Sequence, residues 1–98
     1  MREHKMVQKM PMSGRLRELI PGLGLYVPPR VPVLYCQKAC HQVRRFRRGE
    51  RNYIRLKEKG TGYLKINISL SWRLLSRDAG QHWELMHHER YNNEIRKT

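Results

Sequence analysis

The chain has 98 residues, of which 21 are Lys or Arg and 8 are Asp or Glu, so its formal net charge at pH 7 is +13. This length predicts one small domain with a modest core. The charge predicts an anionic partner, namely nucleic acid, an acidic membrane surface or an acidic protein. No apolar run approaches the roughly 18 residues of a membrane span, and no signal-peptide pattern is present. We therefore expect a cytoplasmic protein without a membrane partner.

The N-terminal part of the chain is rich in turn-forming residues. Residues 1–14 are expected to form a flexible leader, and residues 15–98 a single domain. Ser13 predicts the start of a short helix over residues 14–20, because a hydroxyl at this position can cap a helix. Residues 23–27 are expected to form a short extended piece before a proline-rich connection.

A longer amphipathic helix follows. Its start is predicted at Pro32, because proline suits the first turn of a helix, and its end near Gly49. Its apolar residues recur at spacings of three and four, which is the helical period. These residues are Val33, Cys36, Ala39, Cys40, Val43 and Phe46.

Basic residues are concentrated at the end of this helix and in the connection over residues 51–59. Lys and Arg side chains bind phosphates through counterion release and carry little sequence information. We therefore expect a nucleic-acid or partner-binding surface here, with an ordinary solvated basic face and a dock for an acidic protein segment as the alternatives. The seven candidates are Arg44, Arg45, Arg47, Arg48, Arg51, Arg55 and Lys57.

Three strands are predicted in the last third of the chain. Residues 63–68 alternate apolar and polar side chains, residues 72–77 follow the same pattern, and residues 82–87 complete the meander after a hairpin turn at 78–80. Residues 90–97 are expected to be a polar tail with at most a final helical turn. The fold class is therefore α+β, with three C-terminal antiparallel strands, room for a short N-terminal strand, and one or two helices.

Five side chains along these strands form a candidate catalytic group: Lys65, Arg73, His87, His88 and Tyr91. Cleavage of RNA through its 2′-hydroxyl needs a proton acceptor, a proton donor and cations around the phosphate. Imidazole titrates near neutral pH, and the Arg guanidinium forks onto phosphate oxygens. Adjacent strand residues face opposite sides, so at most one of the two histidines is expected in a concave site. The alternative is ordinary polar sheet surface.

The cysteines and tryptophans are expected to be structural. Cys36, Cys40 and His41 lack a second pair of ligands, so we predict no metal site and no cofactor. The two cysteines fit the apolar face of the helix and are expected to be reduced thiols. Trp72 and Trp83 are expected in the core, with base stacking as a minor alternative.

The C-terminal segments together resemble the RelE/ParE superfamily of bacterial toxins. The resemblance covers about residues 33–92 and is strongest to the ParE-like branch. It is carried by the order of a helix, a basic link, a glycine, three strands and a His-Glu-x-Tyr-Asn ending. The matching segments are Leu56–Gly60, Gly62–Ile68, Trp72–Arg77 and Trp83–Asn92.

The resemblance implies a type II toxin with helices on one side of a small antiparallel sheet. It also implies an acidic antitoxin as partner. RelE-type members are metal-independent endoribonucleases that cleave mRNA on the ribosome, whereas ParE-type members inhibit DNA gyrase without chemistry of their own. A non-toxic, basic nucleic-acid-binding or regulatory protein remains the alternative function.

The resemblance also assigns roles to individual residues. Arg73 matches the arginine that acts at the scissile phosphate, and Lys65 matches a basic position on the preceding strand. His87 or His88, with Tyr91, matches the C-terminal proton-transfer position. For the general-base carboxylate, the chain offers Glu50 and Glu58.

Overall fold

The computed structural model of the chain describes residues 16–97. The predicted leader, residues 1–14, and the predicted cap at Ser13 lie outside this range. Within these residues the chain forms six strands and two α-helices. They are β1 (Arg17–Glu18), β2 (Leu25–Val27), α1 (Val33–Arg47), β3 (Ile54–Arg55), β4 (Leu64–Asn67), β5 (Trp72–Ser76), β6 (Trp83–His87) and α2 (His88–Arg96), with one 3₁₀ turn at Lys57–Lys59.

All six strands form one sheet in the order β1-β2-β6-β5-β4-β3. The three predicted C-terminal strands are confirmed as the antiparallel centre β4-β5-β6, with the β5–β6 hairpin turn where it was predicted. The sheet is mixed rather than antiparallel, because β2 pairs with β6 in parallel. The amide of Trp83 donates to the carbonyl of Gly24 at 2.7 Å and starts this pairing. The fold is α+β.

The prediction of a short helix over residues 14–20 is wrong for residues 16–20, the part of this segment that the structure describes. Arg17–Glu18 is a strand that pairs with β2. The Glu18 carboxylate accepts hydrogen bonds from the amides of Gly22 at 3.1 Å and Gly24 at 2.9 Å. This side chain organises the turn between two strands, and the amides that it binds lie beyond the predicted helix. The extended piece predicted at 23–27 is confirmed as β2.

The predicted amphipathic helix is confirmed as α1. Its first carbonyl, from Pro32, accepts from the amide of Tyr35 at 2.9 Å, and Gly49 follows its end with a left-handed φ of 94°. Ala39, Cys40 and Val43 are its buried residues. Val33 was predicted on the buried face but is 70% exposed, so burial begins only after the first turn.

The predicted polar tail is instead the helix α2. The His87 side chain accepts from the amide of Glu89 at its first turn, and Glu89 and Arg96 complement the two ends of the helix dipole. Tyr91 and Ile95 lie one helical turn apart and pack against Leu75 and Met86 of the sheet. No helix within residues 16–97 is long and apolar enough to cross a bilayer.

The two helices cover opposite faces of the sheet, whereas the resemblance implied one covered side. Strand residues alternate between faces. Leu74 therefore joins the core beneath α1, and its neighbour Leu75 joins the smaller cluster beneath α2. The larger cluster also contains Trp83, which is 1% exposed.

The end of α1 docks between two glycine turns. The Arg47 guanidinium donates to the carbonyls of Leu23 at 2.8 Å, Gln81 at 3.0 Å, and Gly80. A Cβ on Gly24 would lie 2.6 Å from this guanidinium, and a Cβ on Gly80 would lie 2.2 Å from the Phe46 ring. Both positions therefore require glycine for this close approach.

We predict that Arg47→Ala lowers the free energy of unfolding by about 2–3 kcal/mol, because it leaves three carbonyls without a charged donor. Arg48→Ala is the matched control, since Arg48 lies next in sequence and its ion pair within residues 16–97 is with surface Glu50 at 3.3 Å. Its loss should cost about 0.5 kcal/mol or less. Urea unfolding of both variants measures the difference. Equal losses would contradict a structural role for Arg47.

A candidate active site beside the C-terminal helix

Three of the five predicted catalytic residues lie together on the sheet face that α2 covers. In the β4–β5 register Lys65 pairs with Leu75, and on the next strand pair Arg73 pairs with Met86. Leu75 and Met86 both contact Tyr91 of α2 in one cluster. The Lys65 Nζ atom lies 5.6 Å from the centre of the Tyr91 ring, which is cation–π distance. Lys65, Arg73 and Tyr91 therefore form one site.

The β4–β5 turn holds Arg73 in place. Its Nη1 atom donates to the carbonyls of Ser69 at 2.7 Å, Leu70 at 3.2 Å and Trp72 at 3.3 Å. Within the described chain all its hydrogen bonds run through this one nitrogen. The Nε and Nη2 donors remain for a ligand, and the guanidinium is already oriented.

The environment of Tyr91 keeps its hydroxyl protonated. Burial raises the pKa of Tyr91, the positive charge of Arg73 lowers it, and the negative charge of Glu58 raises it, with a net upward shift. The Tyr91 hydroxyl is therefore protonated at neutral pH. Glu58, in the 3₁₀ turn, is electrostatically coupled to Tyr91.

Glu50, the other candidate carboxylate, is occupied elsewhere. Its Oε1 atom lies 2.6 Å from Arg45 Nε, and its Oε2 atom lies 3.3 Å from Arg48 Nη2. The hydrogen bond from Arg45 is the largest of the effects that lower the pKa of Glu50. Of the two carboxylates, Glu58 is the one whose charge acts on Tyr91.

The ring contacts of the two histidines run to Trp72 and to each other. His87 is the last residue of β6, and its ring packs edge-on against Trp72 at 5.4 Å between ring centres, on the face that α1 covers. His88 is the first residue of α2, and its ring lies 4.5 Å from that of His87. The expectation that they face opposite sides of one strand is wrong, because the strand ends between them.

A closed set of ion pairs anchors α2 to the β5–β6 hairpin. Arg77 lies 3.3 Å from Glu84 and 3.1 Å from Glu94. Arg90 lies 3.3 Å from Glu84 and 3.0 Å from Glu94. We call these four residues the Arg–Glu ring. It fixes the helix that carries Tyr91, and sequence analysis missed it.

The seven predicted binding residues separate into two groups. Arg47 is turned onto backbone carbonyls, and Arg45 and Arg48 pair with Glu50. The remaining four form no ion pair with another part of the chain described here: Arg44, Arg51, Arg55 and Lys57. Arg55 and Lys57 line a surface cavity of about 330 Å³ together with Gly60, Thr61 and Gly62, next in sequence to Glu58.

The thiols and carboxylates do not assemble a metal site in the part of the chain that is described. No group of three or more His, Cys, Asp or Glu side chains within residues 16–97 could hold a metal ion. Cys36 and Cys40 are free thiols on α1, and burial raises the pKa of both.

We predict that Glu94→Gln destabilises the protein by about 1–3 kcal/mol at pH 7, because it opens the Arg–Glu ring. Burial alone raises the pKa of Glu94. Hydrogen bonds from Arg90 and Lys97 and the charges of Arg90 and Arg77 outweigh this effect, so the pKa lies below its usual range. A carboxylate with a lowered folded pKa stabilises above its unfolded pKa of about 4.3, and this contribution disappears as the pH falls.

The difference between wild type and Glu94→Gln should therefore shrink as urea unfolding is repeated from pH 7 down to about pH 3. Glu89→Gln is the control, since Glu89 is an exposed carboxylate on the same helix. A difference for Glu94→Gln that stays constant with pH would contradict the ring's role.

Comparison with known proteins places this architecture in a family. Residues 34–93, more than half of the chain, match the ParE-like toxin domain. This range contains all of α1 but its first residue, the three central strands and most of α2. No curated protein and no solved structure matches the chain. The chain belongs to the ParE-like toxin domain family and is the toxin component of a toxin–antitoxin system, with an antitoxin as its partner.

Proposed function

We propose that this toxin arrests growth as a metal-independent endoribonuclease that cleaves mRNA at the ribosome. The observation that carries the proposal is the grouping of Lys65, Arg73 and Tyr91 on one sheet face, with Glu58 in electrostatic contact with Tyr91. These side chains supply the cations, the proton donor and the proton acceptor that cleavage through a 2′-hydroxyl needs.

The proposed reaction is an internal transesterification. Glu58 takes the proton of the 2′-hydroxyl, whose oxygen attacks the adjacent phosphorus. The bond from phosphorus to the 5′-oxygen breaks, and Tyr91 donates its proton to that leaving oxygen. Arg73, through its Nε and Nη2 donors, and Lys65 neutralise the charge that develops on the phosphate. The products are a 2′,3′-cyclic phosphate and a 5′-hydroxyl end.

The cationic side chains outside this site are proposed to hold the flanking RNA. Arg55 and Lys57 line the cavity beside Glu58 and carry no ion pair within residues 16–97. Arg44 and Arg51 extend the basic surface. An acidic antitoxin would bind the same cations, and this competition would neutralise the toxin.

A second candidate target is DNA gyrase. It is favoured by the position of His87, because this imidazole, a side chain suited to proton transfer near neutral pH, packs against Trp72 on the sheet face opposite Arg73. In that case the Lys65–Arg73 face would bind gyrase without bond cleavage. In both cases the target, mRNA or gyrase, would bind the sheet face that carries Lys65 and Arg73.

We predict that Tyr91→Phe lowers the rate of mRNA cleavage by about 10²–10⁴-fold, because it removes the proton donor and keeps the buried ring. Glu58→Gln should act similarly. Glu50→Gln is the matched control, since it neutralises a carboxylate that pairs with Arg45 instead. New mRNA 5′ ends, counted after controlled induction in cells, measure the effect. Wild-type cleavage by Tyr91→Phe would remove the proton donor from the mechanism.

The same cultures distinguish the two targets. Growth arrest by the wild-type chain with new mRNA ends and no DNA-damage response is the expected outcome. Arrest with DNA damage and unchanged mRNA ends would assign the toxin to gyrase. Harmless expression of a folded chain would contradict both.

A further inference from the structure

Four rings form a continuous series where β5 begins and β6 ends. Tyr35 of α1 stacks on Trp72 with 6.0 Å between ring centres, and Trp72 meets His87 edge-on at 5.4 Å. The His88 ring continues the series at 4.5 Å from His87. We call these four residues the aromatic ladder. Lys38 adds a positive charge at one end, with its Nζ atom 5.9 Å from the centre of the Tyr35 ring.

The aromatic ladder is partly open to solvent, unlike the aromatic pair in the core. Trp83 is 1% exposed where it packs against Phe46. All four ladder residues are only half-buried. Trp72 contacts the core cluster at one side, so the series runs from the core to the surface. The proposed cleavage chemistry uses none of these rings.

Backbone hydrogen bonds hold the histidine end of the ladder. The amide of His88 donates to the carbonyl of Ser71 at 2.7 Å, and the amide of Glu89 donates to His87 Nδ1 at 3.4 Å. A neutral His87 that accepts at Nδ1 carries its proton on Nε2. Rings that are already fixed lose little conformational freedom when a ligand binds.

We propose that the aromatic ladder is a stacking surface for unpaired bases of single-stranded nucleic acid. Every base has a planar face that stacks on aromatic rings, and proteins that bind single strands combine such rings with nearby cations. The ladder supplies the rings, Lys38 supplies an adjacent cation, and the net charge of +13 supplies the wider attraction to phosphates. Stacking at this surface requires no cleavage, so the inference does not depend on the proposed reaction.

The test is the affinity of the full chain for a labelled oligothymidylate of roughly 12 nucleotides, measured by fluorescence anisotropy. DNA lacks the 2′-hydroxyl, so failure of the proposed cleavage chemistry would not alter the result. Tyr35→Leu and His88→Ala should each weaken binding roughly 5- to 100-fold. His41→Ala is the matched control, since His41 is an exposed imidazole on α1 outside the ladder, and its affinity should equal that of wild type.

Salt dependence separates stacking from phosphate contacts. Lys38→Gln should reduce the slope of log affinity against log salt by about 0.7, while the ladder variants should leave the slope unchanged. Thermal unfolding checks that each variant is folded. His88→Ala trims the end of the ladder and provides a folded variant if Tyr35→Leu does not fold.

Wild-type affinity in both folded ladder variants, or an equal loss in His41→Ala, would overturn the proposal. Binding of a protein at this surface would also overturn the proposal.

Val33 and Leu34 precede Tyr35 and are exposed apolar side chains, so a protein partner could use this end of α1. If the ladder variants lose antitoxin binding but keep oligothymidylate binding, the surface belongs to that protein.

Discussion

The docking of Arg47 onto three carbonyls is the contact on which the arrangement of α1 against the sheet depends. The carbonyls come from the β1–β2 turn and from the β5–β6 hairpin, which lie more than 50 residues apart in sequence but adjoin in the fold. Gly24 and Gly80 leave the space that Arg47 and Phe46 fill. The same contact lies beside the parallel β2–β6 pairing, so it holds the N-terminal hairpin to the centre of the sheet.

The two faces of the sheet are stabilised differently. The face beneath α1 buries the larger apolar cluster. The face beneath α2 has a small cluster around Tyr91 and is completed by the Arg–Glu ring. Lys65 and Arg73 can point to this second face because it is only partly covered. The first face is therefore largely apolar, and the second face carries the charged side chains of the candidate site.

Much of the fold could be predicted from periodicity. The spacing of Ala39, Cys40 and Val43 predicted α1, and the alternation around Ile66 and Leu74 predicted the central strands. The helix α2 could not be predicted with the same rules, since its segment is almost entirely polar. Its helix is stabilised by tertiary contacts. Tyr91 and Ile95 pack against the sheet, and its charged side chains form ion pairs with Glu84 and Arg77.

The candidate site was predictable in composition but only partly in arrangement. Strand alternation brought Lys65 and Arg73 to one face, as expected. His87 lies on the opposite face because it follows Met86 on β6, and His88 is the first residue of a helix that the polar segment did not predict. Arg47 and Arg48 are chemically identical neighbours, and only the positions of distant carbonyls give one a structural contact and leave the other at the surface.

The central claim is that Arg73 and Tyr91 act together as one site, and a double-mutant cycle tests it most directly. The quantity measured is the cellular toxin concentration that halves the growth rate, for wild type, Arg73→Ala, Tyr91→Phe and the double variant. If the two residues act as a unit, the double variant should lose about as much toxicity as the more severe single variant. Losses that multiply would show that the two residues act independently and would contradict the account.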